Sequence, residues 1–449
     1  MSASAPDAPG VPGTLAATSV SRPGELAATL TLASAAARTW DALVVGAGPA
    51  GALVAGLLAR DGLAVLLVDR ARFPRGKVCG CCLNARALDA LERAGLGDLP
   101  AALGARPLQH MELAAQGRRV RLPLPGGVSI SREALDAALV TAACERGAHF
   151  LPGAFAAGTG APAPGAPRAV DMTRIDGPEG TARLHARVVL VADGLGGRLL
   201  DADELGPATI ARDSRLGAGT VLAHAPEAVA PGTLWMACGA AGYVGLVRLQ
   251  DDRLDVAAAF EARALAAAGG ARGAGALAAS LLAGAGLHEL AELPLAGAMW
   301  RGTPQLTRTP ARRGARAALL LGDACGYVEP FTGEGIASAL GSALAVLPFA
   351  EAAARGWDDA LLPAWERCWT RTIGARQRST RALAWLLRHP RLLAPCMTVL
   401  ALRPALAAPL LAGLAAPTRV TPPARATDPA TRDDAVAPAR RSASARAPR

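Results

Sequence analysis

Two glycine-rich junctions that follow apolar runs constrain this chain more than any other feature. Residues 319–336 (LLLGDACGYVEPFTGEGI) pass from an apolar run through a glycine- and proline-rich turn into a long Ala-rich stretch. Residues 42–51 (ALVVGAGPAG) begin in the same way. Each pattern predicts a buried strand that turns sharply into a helix. Because the two junctions are roughly 270 residues apart, one site built from both requires a domain that is discontinuous in sequence.

The first junction has the spacing of a dinucleotide-binding turn. Gly46, Gly48 and Gly51 form a G-x-G-x-x-G pattern. In this pattern the first glycine makes the tight turn, the second lets the backbone approach a pyrophosphate, and the third lets the helix pack on the strand. Pro49 and Ala50 then open a helix whose N-terminus attracts phosphate. The pattern predicts a strand–turn–helix unit that binds a dinucleotide.

Asp69 closes the next apolar run, 23 positions after Gly46. An acidic side chain at the end of the second strand can accept the ribose hydroxyls, and Arg70 follows it directly. Taken alone, this fingerprint also occurs in turns that bind no ligand, so a purely structural turn stays an alternative at this point.

Two further junctions extend the predicted site. Gly322 and Asp323 follow the apolar run at residues 319–321, where a carboxylate can hold a ribityl chain or bridge to a pyrophosphate. Asp193 and Gly194 follow another apolar run, at residues 188–191. A nicotinamide dinucleotide does not need these additional junctions, whereas an FAD that lies extended across the domain does. The three junctions together therefore favour FAD.

Five motifs in this order carry a resemblance to a known family. They are GAGPAG, FPRGKVCG (residues 73–80), ISREALD (130–136), ADG (192–194) and GDACGYVEPFTGEGI. The series resembles the geranylgeranyl reductase family of FAD-dependent oxidoreductases, within the wider group of flavoproteins similar to para-hydroxybenzoate hydroxylase. The resemblance covers most of residues 40–390 and is strongest in the cofactor half. It implies FAD as cofactor and NAD(P)H as a transient reductant.

The resemblance also implies which residues bind the cofactor. In the family the arginine that matches Arg132 approaches the cofactor phosphates, with a helix-capping surface arginine as the alternative here. The helix that opens at residues 333–336 aims its positive end at the flavin ring. The expected cofactor-binding residues are Gly46, Gly48, Pro49, Ala50, Gly51, Asp69, Arg70, Cys79, Gly80, Arg132, Asp193, Gly194, Gly322, Asp323, Pro330, Gly333, Gly335 and Ile336.

Three residues are candidates for a part in catalysis. Lys77 is the only lysine among 47 basic residues and would place a charge near the ring; a solvent-facing loop residue is the alternative. Cys79 matches a position that lies close to the flavin in the family, with packing as the alternative. Tyr243 is a candidate proton donor, as is Glu329, although a carboxylate beside Pro330 could instead only cap the turn.

The expected fold is α/β (α+β), with a Rossmann-like FAD-binding domain that is discontinuous in sequence, an inserted antiparallel β-sheet substrate domain and a C-terminal helical region. A helix is expected over residues 85–94, two strands over 111–124, a loop over 153–167 and a hairpin over 170–191. The expected segments are a disordered extension (1–39), FAD-binding domain parts (40–108, 127–205 and 313–350), substrate-domain parts (109–126 and 206–312), C-terminal helices (351–416) and a disordered basic tail (417–449).

The substrate half carries a weaker signal than the cofactor half. Family members that reduce prenyl chains show a Tyr-x-Trp-x-Phe-Pro pattern, whereas residues 243–248 here read YVGLVR. Flavin halogenases are disfavoured too, because Gly-Lys-Val-Cys-Gly at 76–80 replaces their glycine–glutamate turn and a Trp-x-Trp motif is missing. The leading expectation is NAD(P)H-driven reduction of C=C bonds in a small apolar molecule. The alternatives are an FAD-dependent hydroxylase and a non-catalytic nucleotide-binding or electron-transfer flavoprotein.

The net charge of +10 does not indicate nucleic-acid binding. The tail from residue 417 holds seven Arg and three Asp, which is +4 of the total. The remaining charge is spread over the body without the basic helix or interleaved aromatic residues of a nucleic-acid site. A solvated arginine surface is expected instead.

Cysteine usage and hydropathy point to a cytoplasmic protein without a metal site. The eight cysteines lack paired metal-ligand spacing, and Cys79, Cys81 and Cys82 stand too close together to supply a zinc site. Residues 392–416 are very apolar but broken by Arg403 and three prolines, so they make a poor membrane span. They are expected to pack on the body, with peripheral membrane contact as the alternative.

Overall fold

The computed structural model describes residues 24–175, 180–329, 331 and 333–415. In chain order its strands are β1 (Thr39–Val45), β2 (Val65–Asp69), β3 (Cys82–Asn84), β4 (Arg106–Pro107), β5 (His110–Ala115), β6 (Arg118–Pro123), β7 (Gly127–Ser129), β8 (His149–Pro152), β9 (Ala154–Gly158), β10 (Arg168–Arg174), β11 (Thr181–Val191), β12 (Thr209–Ile210), β13 (Leu216–Leu222), β14 (Thr233–Gly239), β15 (Gly242–Arg248), β16 (Leu254–Phe260), β17 (Arg301–Gln305), β18 (Arg308–Thr309), β19 (Gly314–Ala315) and β20 (Ala318–Leu320).

The helices are α1 (Leu32–Ala36), α2 (Pro49–Arg60), α3 (Ala85–Arg93), α4 (Leu99–Ala102), α5 (Arg132–Glu145), α6 (Ala202–Leu205), α7 (Ala262–Ala267), α8 (Ala274–Gly284), α9 (His288–Ala291), α10 (Glu334–Arg355), α11 (Leu361–Trp369), α12 (Ala375–Leu387), α13 (Pro390–Leu402) and α14 (Ala408–Ala415). Short 3-10 turns lie at Gly270–Gly273, Gly322–Cys325 and Pro404–Ala407, and a π-helical turn at Thr370–Gly374 joins α11 to α12. The helices expected after the junctions at residues 42–51 and 319–336 are therefore present.

The first large sheet brings the glycine junctions together. Its strand order is β19-β20-β11-β1-β2-β8, with β10 and β9 extending from β11. β1 lies parallel between β2 and β11, and β20 lies parallel beside β11. The carboxyl ends of these parallel strands meet at one edge. The junctions after β1, β11 and β20 therefore lie side by side, which confirms the expected discontinuous α/β fold.

The second large sheet has seven strands in the order β17-β13-β16-β15-β14-β5-β6. Its two faces are separated by strict alternation: Trp235 packs with α8 on one face, and Met236 points to the other. The pairs β5–β6 and β10–β11 confirm the strands expected over residues 111–124 and the hairpin over 170–191. The limits of the domains themselves stay predictions.

Two expectations about irregular chain were wrong. Residues 24–38 were expected to belong to a disordered extension, but α1 packs Leu32 into the core and Trp40 Nε1 donates a hydrogen bond to the Ala35 carbonyl. Residues 154–158 form β9 rather than part of a loop, because β10 supplies a strand for them to pair with. Residues 1–23 and the tail from 417 lie outside the described residues.

The C-terminal helices follow the long core helix α10. Among the described residues α10 is the helix that is long and apolar enough to cross a membrane, but 61% of its apolar window is buried inside the protein. Beyond α12, α13 contacts β5 and β6. Leu393 and Met397 of α13 join the apolar cluster on that side of the seven-stranded sheet. The expected packing of this segment on the body is confirmed.

Candidate active site

A cavity that is partly open to solvent lies between the two large sheets. One wall comes from the glycine junctions and the starts of α2 and α10, and we refer to it as the cofactor wall. The opposite wall comes from β14, β15 and β16 of the seven-stranded sheet and is mainly apolar; we refer to it as the substrate wall. The predicted site residues that line the cavity are Gly48, Pro49, Ala50, Lys77, Cys79, Gly80, Arg132, Gly194, Tyr243, Gly322, Asp323, Gly333, Gly335 and Ile336.

The glycine turn after β1 is required by close backbone packing. Gly46 has φ +102°, and a Cβ added to it would lie 2.3 Å from the Ala192 carbonyl oxygen. A Cβ on Gly51 would lie 1.8 Å from the carbonyl oxygen of Gly46. Both distances are below any real contact, so these two glycines shape the turn without lining the cavity.

Gly48, by contrast, faces open space that a phosphate can fill. The nearest atoms to an added Cβ are the Nη2 atoms of Arg75 and Arg132, at 3.8 and 3.9 Å. Asp136 holds Arg132 through two hydrogen bonds of 2.8 and 2.7 Å, and it also lies 3.4 Å from Arg75. The backbone at Gly48 therefore carries no side chain on the side where the guanidinium groups of Arg75 and Arg132 lie. This arrangement fits the pyrophosphate of a dinucleotide.

Asp69 holds the turn rather than lining the cavity. Its Oδ2 accepts a hydrogen bond of 2.8 Å from the Ala47 N–H and lies 3.4 Å from Arg75 Nη2, and its Oδ1 accepts from the Ala71 N–H. The expected ribose contact stays a prediction. Arg70 is exposed and does not line the cavity.

Two helix N-termini meet at the cavity. Gly48 is the N-cap of α2 and Gly333 is the N-cap of α10, and neither helix has a side-chain cap. The first N–H groups of each helix therefore lack the usual side-chain acceptor and present positive dipole ends. The Glu334 carboxylate pairs instead with Arg86 and with Asn84 of α3 and β3. Both helix starts fit an anionic cofactor laid between them.

Lys77 lines the cavity together with Asp323 and is an exposed residue. Burial lowers the pKa of Lys77, nearby Arg132 and Arg75 lower it further, and Asp323 opposes them. Burial raises the pKa of Asp323 and of Asp193, and Lys77 opposes the shift in both. Asp323 lines the cavity, whereas Asp193 lies behind it. Because Lys77 both lines the cavity and is exposed, its expected place beside the flavin and the solvent-facing alternative both stay predictions.

The cysteines at 79, 81 and 82 are close to one another but differ in acidity. A hydrogen bond from the Cys81 thiol lowers the pKa of Cys79 to about 6, with Arg132 contributing. The same hydrogen bond and burial raise the pKa of Cys81, and burial raises that of Cys82. Among the described residues no group of His, Cys, Asp and Glu side chains is arranged to hold a metal.

The substrate wall presents aromatic and aliphatic side chains to the cavity. The rings of Tyr243 and Phe331 meet edge to face, with centroids 5.2 Å apart. The Tyr243 hydroxyl has no hydrogen-bond partner within the described part of the chain, and burial raises its pKa well above the usual range. Leu234, Met236 and Val247 complete this apolar surface. A polar group of a ligand in the cavity could form a hydrogen bond with the Tyr243 hydroxyl.

Asp255 is the one carboxyl group that the substrate wall contributes within the described residues. It lies on β16 and is 4% exposed, and its Oδ2 has no hydrogen-bond partner among them. Burial raises the pKa of Asp255 well above its usual range, and the negative charge of Cys79 adds to the shift. The raised pKa favours the protonated form of this carboxyl group, which can donate a proton into the cavity.

Glu329 does not line the cavity. Its carboxylate accepts a hydrogen bond of 3.0 Å from Arg215 and one of 2.5 Å from Arg388. The guanidinium of Arg215 also stands over the Tyr243 ring, 5.3 Å from its centroid. Glu329 thus ties the turn before α10 to the substrate sheet and to α12. Pro330 lies outside the described residues.

Sequence reasoning missed four polar residues of the site: Arg75, Asp136, Asp255 and Tyr327. Asp136 follows Arg132 by four positions on a helix, a spacing that places the two side chains on one face. Asp255 stands in the apolar run LDVAAAF at 254–260, where a lone acidic residue is itself a signal. Both could have been found from local pattern. Arg75 stands inside the motif FPRGKVCG, and Tyr327, one of two tyrosines in the chain, stands inside GDACGYVEPFTGEGI, so motif membership was their signal.

The comparison with protein families identifies one domain. The model of a family described as an FAD binding domain matches residues 39–362. A menaquinone reductase of Mycobacterium tuberculosis is 36% identical over 162 residues, which are 34% of this chain and 37% of that protein. A menaquinone reductase of Mycolicibacterium smegmatis is 37% identical over 120 residues, 25% of this chain and 29% of that protein. The chain thus matches well under half of the length of these curated relatives.

Solved structures with the same fold match far more of the chain. The flavin-dependent brominase Bmp2 has a TM-score of 0.68 at 13% identity and covers 84% of this chain and 94% of its own. The myxobacterial chondrochloren halogenase CndH has a TM-score of 0.63 at 19% identity, with 74% and 80% covered. PqsL of P. aeruginosa, in complex with 2-aminobenzoylacetate, has a TM-score of 0.61 at 21% identity, with 80% and 99% covered. At these identities the similarity concerns the fold alone.

Proposed function

Because this chain belongs to the FAD-binding-domain family, with FAD as its cofactor, we propose that it is an FAD-dependent oxidoreductase that uses NAD(P)H to reduce C=C bonds of an apolar molecule. One observation carries the proposal: a single cavity has a wall built for an anionic dinucleotide and, facing it, a wall of apolar side chains. A molecule held on the substrate wall would lie against the cofactor.

The substrate class follows from the composition of the substrate wall. The side chains of Leu234, Met236, Val247 and Phe331 leave Tyr243 and Asp255 as polar points on a largely apolar surface. Burial of apolar ligand area is the main source of affinity in such a site. An isoprenoid, lipid or polyketide-type alkene suits it. The resemblance to geranylgeranyl reductases and the similarity to proteins named menaquinone reductases support a reductase of this kind.

Bound FAD supplies the hydride that reduction of a double bond requires, after accepting it from NAD(P)H. The chain supplies the surrounding charge. The N-termini of α2 and α10 and the guanidinium of Arg132 favour negative charge in the cavity. Lys77 lines the same cavity, together with Asp323. These groups would stabilise negative charge on the reduced cofactor.

Reduction of a double bond also needs a proton, and we assign its donation to Asp255. Its carboxyl group is buried, has a raised pKa and has no hydrogen-bond partner on Oδ2 among the described residues. Tyr243 is assigned to hold a polar end of the substrate through its unpartnered hydroxyl. The two groups lie on adjacent strands, β16 and β15.

An FAD-dependent hydroxylase is a second candidate, and the same apolar wall supports it. Oxygen chemistry on a flavin requires a site that excludes water, and apolar side chains such as Phe331 and Met236 provide that exclusion. Neither Asp255 nor Tyr243 distinguishes the two reactions by position. The products distinguish them directly.

The test supplies the FAD-loaded protein with NADPH or NADH and a set of prenylated quinones and isoprenoid alcohols, first without oxygen and then in air. Products that have gained two hydrogen atoms in the anaerobic reaction support the reductase. Products that have gained one oxygen atom, and only in air, support the hydroxylase. A protein that retains FAD and is reduced by NAD(P)H but turns over none of these compounds contradicts both and favours an electron-transfer protein.

A further inference from the structure

The helix α13 carries apolar side chains on two opposite faces. Leu393 and Met397, four positions apart, are buried against the seven-stranded sheet. Leu392, Val399 and Leu402 are 45%, 49% and 78% exposed. Spacings of seven and three residues place these three on one side of the helix. Within the described part of the chain, this outer side of α13 has no element packed over it.

Neighbouring residues enlarge this surface. Trp385 at the end of α12 is 52% exposed, and Leu406, in the turn after α13, is 58% exposed. Half of the ten large apolar side chains that are exposed among the described residues therefore fall between residues 385 and 406. We refer to Trp385, Leu392, Val399, Leu402 and Leu406 as the C-terminal patch. Exposed apolar groups concentrated in this way mark an interaction surface.

The charge around the C-terminal patch has a single sign. Residues 367–415 contain eight arginines and no aspartate or glutamate. Arg388 is neutralised by Glu329 and Asp213. Arg378, Arg391 and Arg403 are exposed and form no ion pair with any described residue. The patch is therefore apolar and flanked by uncompensated positive charge.

We propose that the C-terminal patch docks on the surface of an anionic lipid bilayer. Helices with an exposed apolar side and flanking arginines lie in the interface, with the apolar side chains among the acyl chains and the arginines at the headgroups. The 13 residues of α13 are too few to span a bilayer. Anionic lipid satisfies both the apolar side chains and the unpaired arginines, which an apolar protein surface would not.

The inner side of the same helices connects to the cavity. One apolar cluster contains Leu387 and Met397 from the C-terminal helices together with Met236, Tyr243 and Phe331 from the cavity. Docking therefore places the substrate wall directly behind the lipid-facing helices. A substrate dissolved in the bilayer would meet this packed apolar cluster before it reached the site. This consequence rests on the proposed function, whereas the docking itself does not.

The docking is tested with the full-length, FAD-loaded protein and sedimented vesicles, without substrate or NAD(P)H. Vesicles of phosphatidylcholine containing phosphatidylglycerol are expected to bind the protein at low salt, and vesicles of phosphatidylcholine alone to bind about tenfold less. The double change Val399→Ser and Leu402→Ser is expected to weaken binding about tenfold or more. The double change Arg391→Gln and Arg403→Gln is expected to weaken it about tenfold.

A matched control removes two apolar side chains of similar exposure elsewhere. Phe155 and Ile210 are 48% and 44% exposed and lie on β9 and β12, so Phe155→Ser with Ile210→Ser should leave vesicle binding unchanged. All variants keep the Arg-rich residues 417–449, so binding through that tail alone would persist in the patch variants and overturn the proposal. FAD content shows that each variant is folded.

Three results would overturn the proposal. They are equal binding to neutral and anionic vesicles, anionic binding that the patch changes do not weaken, and a dimer in solution that the patch changes convert to monomer while vesicles are not bound. The last result would assign the patch to a second copy of the chain. Because the assay contains no substrate, an inactive enzyme that docks normally would contradict the proposed reaction and leave the docking intact.

Discussion

The cofactor wall and the substrate wall of the cavity are built from different parts of the polypeptide. The cofactor wall is mostly backbone: glycines at the ends of β1 and β20 and the bare starts of α2 and α10. The substrate wall is mostly side chain, from strands whose residues alternate between two faces. A backbone wall tolerates few substitutions but fits a cofactor common to many proteins. A side-chain wall can change its ligand through single substitutions without disturbing the fold.

The largest expected effect is on the substrate wall. Asp255→Asn removes the proposed proton donor while it keeps the shape of the side chain, and turnover is expected to fall about 10²- to 10⁴-fold. FAD affinity should stay unchanged. Because the protonated form is the active one and burial raises its pKa, wild-type activity should decline as the pH rises through that value. The decline should be absent from the variant.

The control for this prediction is Glu112→Gln. Glu112 is also buried in the seven-stranded sheet but pairs with Arg119 and Arg121 away from the cavity. Loss of turnover equal to that of Asp255→Asn, or an unchanged pH profile in Asp255→Asn, would show that the carboxyl group only supports the sheet. The substrate wall would then differ from the cofactor wall in composition but would supply no proton to the reaction.

The next effect concerns the link between the two walls. Glu329→Ala leaves Arg215, which is 3% exposed, without its charge partner, and it also frees Arg388. Loss of one member of such a buried pair is expected to lower the free energy of unfolding by about 3–5 kcal/mol, measured by urea denaturation. Asp171→Ala breaks the exposed pair with Arg183 and should change stability little. Equal effects of the two changes would contradict the structural importance of the link.

A smaller effect is expected on the cofactor wall. Gly46→Ala places a Cβ 2.3 Å from the Ala192 carbonyl, and overpacking of this kind costs about 1–3 kcal/mol. FAD binding should weaken by roughly five- to a hundredfold, as measured by titration of flavin fluorescence. Gly62→Ala is the matched control, because Gly62 also has a positive φ but nothing within 4 Å of an added Cβ. Equal losses of FAD affinity in the two variants would show that the positive φ, rather than the contact with Ala192, causes the effect.

The smallest effect concerns Cys79, which lies between the walls. With a pKa of about 6, Cys79 is mostly thiolate at pH 7, so iodoacetamide should modify it about tenfold faster than a thiol with an ordinary pKa. The rate should rise with pH to a plateau above pH 7, and bound FAD should slow it because Cys79 lines the cavity. Peptide mapping identifies the site. A rate that still rises above pH 8 would contradict the shifted pKa.

The two walls also differ in how far the sequence predicts them. The strand–turn–helix units at 42–51 and 319–336 are local patterns, and the structure confirms that they form and meet. The position of Arg75 beside Gly48, the place of Lys77 in the cavity lining and the pairing of Glu329 with Arg215 depend on residues far apart in the chain. A single sequence carries no record of such contacts. Domain limits and the ligands of individual site residues stay predictions.

The strands of the seven-stranded sheet all fall between β2 and β19 of the first sheet in chain order. This order has a consequence for synthesis on the ribosome. The seven-stranded sheet uses strands from residues 110–305, whereas β1 at 39–45 needs β11 beside it, and β11 needs β20 at 318–320. The nascent chain can therefore complete the later-encoded sheet before the earlier one. Until α10 emerges, the apolar strands β1 and β2 lack their final cover. We expect chains stalled before residue 320 to be held by chaperones.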